Sequence, residues 1–157
     1  MTSITLVRRI AARPSIVFDA LTTADGVAAW WGPEDLPAIM AEVDARVGGA
    51  FRIRFPTLDG EEHEACGEYL ELVPPRRLVM SWRWLHGGVA EELDGVSRIE
   101  IDVKPIDGGV ELTVTHADLR NEASGIIHED GWVGSLGRLA RLLGESPGTA
   151  DLNPEQR

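Results

Sequence analysis

The side chains able to do chemistry in this chain are few, and most are rings. His116 closes the strand-like run "VELTVTHADL" in the same parity as Val110, Leu112 and Val114, which places its imidazole in an inward-facing row. His128 lies in the last helix-like segment, four residues before Trp132 and therefore on the same side. An imidazole titrates near neutrality, so either histidine could orient a ligand's polar group or move a proton. The alternative is a histidine held by hydrogen bonds at the rim of the core. The run Glu61-Glu62-His63-Glu64 has the residue types of a metal site. Its neighbours alternate across a strand, however, and cannot converge on one ion. It reads as a solvated strand start after the Asp59-Gly60 turn. Two histidines alone do not make a metal site, and Glu129 and Asp130 rotate away from the His128 face, so no metal is expected. Cys66, the single cysteine, excludes an intrachain disulfide and has no activating neighbour in sequence. The chain has no G-x-S-x-G elbow, P-loop, dinucleotide fingerprint, zinc spacing or nucleophile–base motif, so no catalytic residue and no cofactor are assigned.

The aromatic residues form a second group. Trp82 and Trp84 stand two apart in a strand-like run, in the parity of Met80, and Trp132 shares a helical stripe with Leu136, Leu139 and Leu143. Such residues pack cores, and they also line ligand pockets, which are walled chiefly by apolar and aromatic groups. The candidate ligand-binding set is Trp30, Trp31, Phe51, Phe55, Tyr69, Met80, Trp82, Trp84, His116, His128, Trp132 and Leu136. Of the Trp30-Trp31 pair, one is expected to plug the core and the other to close a cavity mouth. His116, His128, Tyr69 and the indole N–H groups are the polar handles.

The elements that must position these residues follow from periodicity. "SITLVRRIAA" is rich in β-branched residues and reads as a first strand. "RPSIVFDALT" is helical, with Pro14 in its first turn and Ile16, Val17, Ala20 and Leu21 on one stripe; "ADGVAAWWGP" is a second short helix with Asp25 as a cap and Gly32-Pro33 as the stop. From about residue 38 the period changes to two. In "AFRIRF" Phe51, Ile53 and Phe55 face one way and Arg52 and Arg54 the other; in "VSRIEIDVKP" Ile99, Ile101 and Val103 alternate with Arg98, Glu100 and Asp102. Short Gly- or Pro-containing links between these runs imply sequential antiparallel pairing. One face of that sheet is apolar and needs a covering layer. The element long enough to supply it is the final helix, roughly Glu122 to Leu143, with Asn121 as its cap. That helix contains Gly131, Gly134 and Gly137. Each costs roughly 1 kcal/mol against alanine, about 3 kcal/mol together. A row without side chains would let a curved sheet approach closely, or leave room for something other than protein.

At 157 residues and 43% hydrophobic content the chain suits one domain with a real core. A net charge of −11 argues against nucleic acid and anionic membrane surfaces as partners. The N-terminus lacks a secretory h-region and no run approaches about 18 apolar residues, so a cytoplasmic location is expected. The segment "GESPGTADLNPEQR" is polar with two prolines and reads as a tail, giving a domain over 1–144 and a flexible tail over 145–157.

Several pieces resemble the START-like, or SRPBCC, superfamily, and within it the family named for activators of the heat-shock-protein-90 ATPase. They are Ala28-Ala29-Trp30-Trp31-Gly32-Pro33, Val47-Gly48-Gly49-Ala50-Phe51, Gly67-Glu68-Tyr69-Leu70-Glu71 and Pro74-Pro75-Arg76-Arg77-Leu78. Ser81-Trp82-Arg83-Trp84, Thr115-His116 and His128-Glu129-Asp130-Gly131-Trp132 complete the set, in the family's order over roughly residues 4 to 143. Arg13 and Thr23-Ala24 stand where members often carry proline-containing pairs. The resemblance implies an α+β helix-grip fold of the START-like, Bet v type. That is a curved antiparallel sheet of about six to seven strands wrapped on a long C-terminal helix, with two short helices between strands 1 and 2 and a cavity between sheet and helix. It implies binding of an apolar or amphipathic small molecule there. A cyclase, dehydratase or hydrolase acting on a hydrophobic substrate is the enzymatic alternative. A protein-interaction module of the stress response, chaperone-associated or a homodimer, using the exposed strand edge or the Trp30-Trp31 end, is the other. Because the chain starts at the START-like strand, without the chaperone-binding domain of the eukaryotic namesakes, chaperone activation is not the expected role.

Overall fold

The computed structural model describes residues 1–32, 36, 38–88 and 95–144. The expected tail, 145–157, lies outside the described residues, as do the Pro33 stop and the 89–94 link. Within them the chain runs β1 (Thr2–Ile10), α1 (Pro14–Thr22), α2 (Ala24–Trp30), β2 (Met40–Val43), β3 (Ala50–Pro56), β4 (Glu62–Val73), β5 (Arg77–His86), β6 (Ser97–Ile106), β7 (Gly109–Leu119) and α3 (Glu122–Leu143). The strands form one antiparallel sheet in the order β1-β7-β6-β5-β4-β3-β2. Sequential hairpins account for β2 through β7, and β1 closes on β7. The pair α1-α2 therefore carries the chain from one edge of the sheet to the other. This is the helix-grip architecture.

Alternation explains which residues are inside. Phe51, Ile53 and Phe55 of β3, Leu78, Met80, Trp82 and Trp84 of β5, and Val110, Leu112, Val114 and His116 of β7 are all buried. The intervening arginines and carboxylates face outward. The sheet is bent where its register slips, between Glu64 and Ala65 and between Tyr69 and Glu71 on β4. Such irregularities curve a strand and increase its twist. Gly67 lies in this region, opposite Phe51. A Cβ there would stand 1.9 Å from the Ser81 carbonyl oxygen, so only glycine admits the approach.

Helix α3 covers the concave face with Trp132, Leu136, Leu139 and Ala140 buried. The side chain of Asn121 caps it by accepting from the Ser124 N–H at 2.9 Å. The cover is shared, since α1 and α2 add Val17, Phe18, Leu21, Val27 and Trp30 to the same core. Two local expectations are corrected. The buried stripe of α1 is Val17, Phe18 and Leu21, with Ile16 39% exposed, because Phe18 offers more apolar area to the sheet than the β-branched residue two positions earlier. The cap of α2 is Thr23, whose hydroxyl accepts from the Gly26 N–H at 3.1 Å, whereas Asp25 sits inside the first turn. The glycines of α3 also divide their work. Close approach to the sheet occurs at Gly125, where a Cβ would lie 3.0 Å from Thr2 Cγ2. A Cβ on Gly137 would make only ordinary contact with Arg8 and Arg141.

Candidate functional site

Between α3 and the concave face lies an apolar cavity of about 210 Å³. One wall is a helical stripe, Ile127, His128, Gly131, Trp132 and Ser135, at spacings of one, three or four that place all five on one side of α3. Gly131 is at the centre of that stripe and brings backbone, not a side chain, to the lining. The opposite wall comes from the sheet: Phe55 and Thr57 at the end of β3, His63 of β4, Trp82 and Trp84 of β5 and His116 of β7. Trp31 and Gly32 close one end. Ile127, 53% exposed, and the exposed Gly88 bring the cavity to the surface.

Ring packing shapes the walls. Trp31 and Trp82 stack with centroids 5.5 Å apart and planes within 8°. Trp84 meets Trp82 edge to face at 5.1 Å and 88°. His63 stacks on Phe55 at 5.6 Å, and its Nδ1 accepts from the Gly88 N–H at 2.6 Å. Gly88 lies flat against Trp84: a Cβ there would fall 2.1 Å from the indole, and its φ of +71° also favours glycine.

The polar groups of the walls form a defined network. The Trp132 indole N–H donates to His116 Nδ1 at 3.0 Å, and His116 Nε2 lies 2.7 Å from Ser97 Oγ. An indole nitrogen only donates, so Nδ1 is the acceptor and the ring proton sits on Nε2, donated to Ser97. The Ser97 hydroxyl then donates to the Trp82 carbonyl at 3.5 Å. One chain of hydrogen bonds thus ties α3 to β7, β6 and β5. Burial, reinforced by the neighbouring His128, pushes His116 well below its ordinary pKa. The two imidazoles meet at 4.5 Å between centroids. At the other end Ser135 accepts from the Gly32 N–H at 3.1 Å and donates to its carbonyl at 2.8 Å.

Seven of the twelve residues expected from the sequence to bind a ligand stand in the cavity wall: Trp31, Phe55, Trp82, Trp84, His116, His128 and Trp132. The other five are packed around it in the core. Trp30 is the plug of the Trp30-Trp31 pair, its indole N–H donating to the Ala20 carbonyl at 2.8 Å. Phe51 packs on Trp31, Trp82 and Tyr69. Burial raises the Tyr69 phenol to about 12, and its hydroxyl has no hydrogen-bond partner among the described residues. Met80 and Leu136 are likewise buried away from the cavity wall. Sequence reasoning missed His63, Ser135, Gly32, Gly88, Thr57 and Ile127. His63 was hidden in an acidic run, although Glu62 and Glu64 turn outward to Arg54 and Arg52 and leave only the histidine facing in. Among the described residues no group of three or more His, Cys, Asp or Glu side chains is placed to hold a metal, and no helix is long and apolar enough to cross a membrane.

Residues 11–144 match the family described as Activator of Hsp90 ATPase homolog 1-like protein. A search of the curated proteins found no match. Among solved structures, protein CV1439 from Chromobacterium violaceum is 30% identical, with a TM-score of 0.79 over 91% of this chain and 98% of its own. The AHSA1 protein SPO3351 from Silicibacter pomeroyi is 25% identical, with a TM-score of 0.78 over 90% of this chain and 97% of its own. Protein NE0264 from Nitrosomonas europaea, 22% identical with a TM-score of 0.72 over 90% and 93%, shares the fold.

Proposed function

The chain belongs to the Activator of Hsp90 ATPase homolog 1-like family, and from the cavity it carries we propose that it binds a small apolar or amphipathic molecule between α3 and the sheet. One observation carries the reading: an aromatic-walled space of about 210 Å³ between α3 and the sheet, lined at Gly131 by a position of the covering helix that has no side chain. A helix that served packing alone would gain roughly 1 kcal/mol from alanine at Gly131. For scale, an engineered apolar cavity of about 150 Å³ holds benzene. The volume here therefore suits a molecule of about two fused rings. Affinity comes from apolar burial at roughly 25 cal/mol per Å².

Acid–base catalysis is not part of the proposal. Both nitrogens of His116 are committed to Trp132 and Ser97, which leaves His128 as the one candidate of the pair. The test uses tetralin, a neutral two-ring hydrocarbon, against the wild-type chain and a Gly131→Leu variant. Tetralin should raise the melting temperature of the wild type. The variant, which puts a leucine side chain on the cavity wall, should respond to tetralin at least tenfold more weakly. A wild type indifferent to tetralin and to comparable hydrocarbons, or a variant that responds equally, overturns the reading.

A further inference from the structure

We propose that the ligand of this cavity is neutral and presents a hydrogen-bond acceptor, of the ketone, ether or ring-nitrogen kind, to the indole N–H groups of Trp82 and Trp84. The proposal rests on the small-molecule reading given above and narrows it to a chemical class.

Most polar groups around the cavity are paired with one another. Trp132 donates to His116, His116 to Ser97, and Ser97 to the Trp82 carbonyl. Ser135 both accepts from and donates to Gly32, His63 Nδ1 accepts from Gly88, and the Thr57 hydroxyl donates to Asp59. Against this background the Nε1–H groups of Trp82 and Trp84 are buried with no hydrogen-bond partner among the described residues. A buried unpaired donor costs about 1–3 kcal/mol, and here two such donors occupy adjacent rings 5.1 Å apart. The contrast with the helix side is direct, because Trp30 and Trp132 each have an acceptor.

What the two unpaired groups can do is donate, since an indole N–H cannot accept. A ligand that brings an acceptor gains two hydrogen bonds that the free protein lacks. An anion would have to leave water for a wall with no Lys or Arg among its described residues, in a chain of net charge −11. Both N–H groups are covered by protein in the free state, so binding includes a turn of the indoles. Packing alone opposes that turn, because neither ring nitrogen is tied by a hydrogen bond and the χ2 torsion of tryptophan is broad. Space exists on a second side as well, for Trp82 and Trp84 also border a recess of about 80 Å³ beside Ser97 and Asp118.

The experiment compares three probes on one skeleton size by titration calorimetry: 1-tetralone, tetralin and 1-naphthoate. The ketone should bind at least tenfold more tightly than tetralin, and the carboxylate should not bind measurably. Trp82→Phe and Trp84→Phe each reshape the wall and should weaken both probes, but the ketone by the larger factor, so that the ratio of ketone to tetralin affinity falls at least threefold. A second readout needs no variant: in wild-type protein labelled with ¹⁵N at the indole nitrogens, 1-tetralone should shift the Trp82 and Trp84 N–H signals downfield and tetralin should not. Equal affinities for ketone and hydrocarbon, or unmoved indole signals on ketone binding, overturn the acceptor proposal and leave the cavity reading standing. Failure of tetralin and tetralone alike overturns both.

Discussion

The two faces of this sheet are built from the same strands, yet they treat polar groups in opposite ways. On the outer face charges meet charges. Arg77 reaches Glu71, Glu100 and Asp102, Arg98 reaches Glu100, and Arg54 reaches Glu62 at distances between 2.9 and 3.4 Å. On the inner face Trp82, Trp84 and Tyr69 hold buried N–H and O–H groups with no partner among the described residues. The outer pairs are individually weak, because both partners remain partly hydrated. The inner groups are few, but each unmet one is expensive. Stability should therefore concentrate on the concave side, and tolerance to change on the convex side.

The sharpest way to break that comparison is Trp132→Ala. The ring is 5% exposed, packs on Trp31 at 5.3 Å and on Trp30 at 6.4 Å, and supplies the donor that His116 Nδ1 requires. Truncating a buried aromatic residue costs about 3–5 kcal/mol. Urea unfolding should show a loss in that range. Trp132→Phe keeps most of the area, loses the hydrogen bond, and should cost less. A loss below 1 kcal/mol for the alanine variant would mean that the inner face does not carry the load assigned to it.

Acidification separates the faces by pH. An ordinary imidazole titrates near 6.5, whereas His116 in the folded chain titrates well below that because it is buried beside His128. Between the two values the unfolded chain binds a proton that the folded chain refuses. The contribution of His116 is thus complete above pH 6.5 and declines as pH falls through that window. On the outer face, Arg98 and then Arg77 hold Glu100 below its ordinary 4.5, so its contribution is present above 4.5 and is lost only below it. Unfolding midpoints measured from pH 7.5 down to 5 should fall for the wild type. In His116→Leu the slope assignable to this imidazole should vanish, on top of a pH-independent loss of about 1–3 kcal/mol from the stranded Trp132 and Ser97 partners. An unchanged slope in the variant would remove His116 as its source.

The outer-to-inner alternation was the most readable feature of the sequence. It placed β3, β5, β6 and β7, their core residues and the covering helix, because a period of two or of 3.6 is a direct image of which side meets water. The helix-side half of the cavity was readable in part for the same reason: His128 and Trp132 are a turn apart, whereas Ser135, which continues their stripe, and Ile127 were missed. The sheet-side half was harder. His63 sits between glutamates that face away from it, so its surroundings in sequence are polar while its surroundings in space are Phe55 and Trp84. The glycine row was noticed but not resolved. Sequence spacing cannot tell a glycine that admits a strand, as Gly125 does, from one that lines a cavity, as Gly131 does. The His116–Ser97 bond joins neighbouring strands, and only their register brings the two side chains together.

The smallest effect is expected at the most conspicuous outer-face group. Arg77 donates to both oxygens of Asp102 at 3.0 and 3.1 Å and to Glu100 at 3.1 Å. These bonds hold its guanidinium charged even more firmly than usual. The geometry looks strong, but the arginine is 28% exposed, and Glu71 and Asp102 are about half exposed. Water therefore competes for every partner. Arg77→Met should cost no more than about 1 kcal/mol at low ionic strength, partly through repulsion among the carboxylates left behind. That cost should shrink in about 1 M salt, where the screening length falls to roughly 3 Å. Tetralin binding should not change, because the substitution lies on the far side of the sheet from the cavity. A salt-insensitive loss comparable to that of Trp132→Ala would show that the convex ladder supports the fold as much as the concave core does, and the contrast between the faces would then fail.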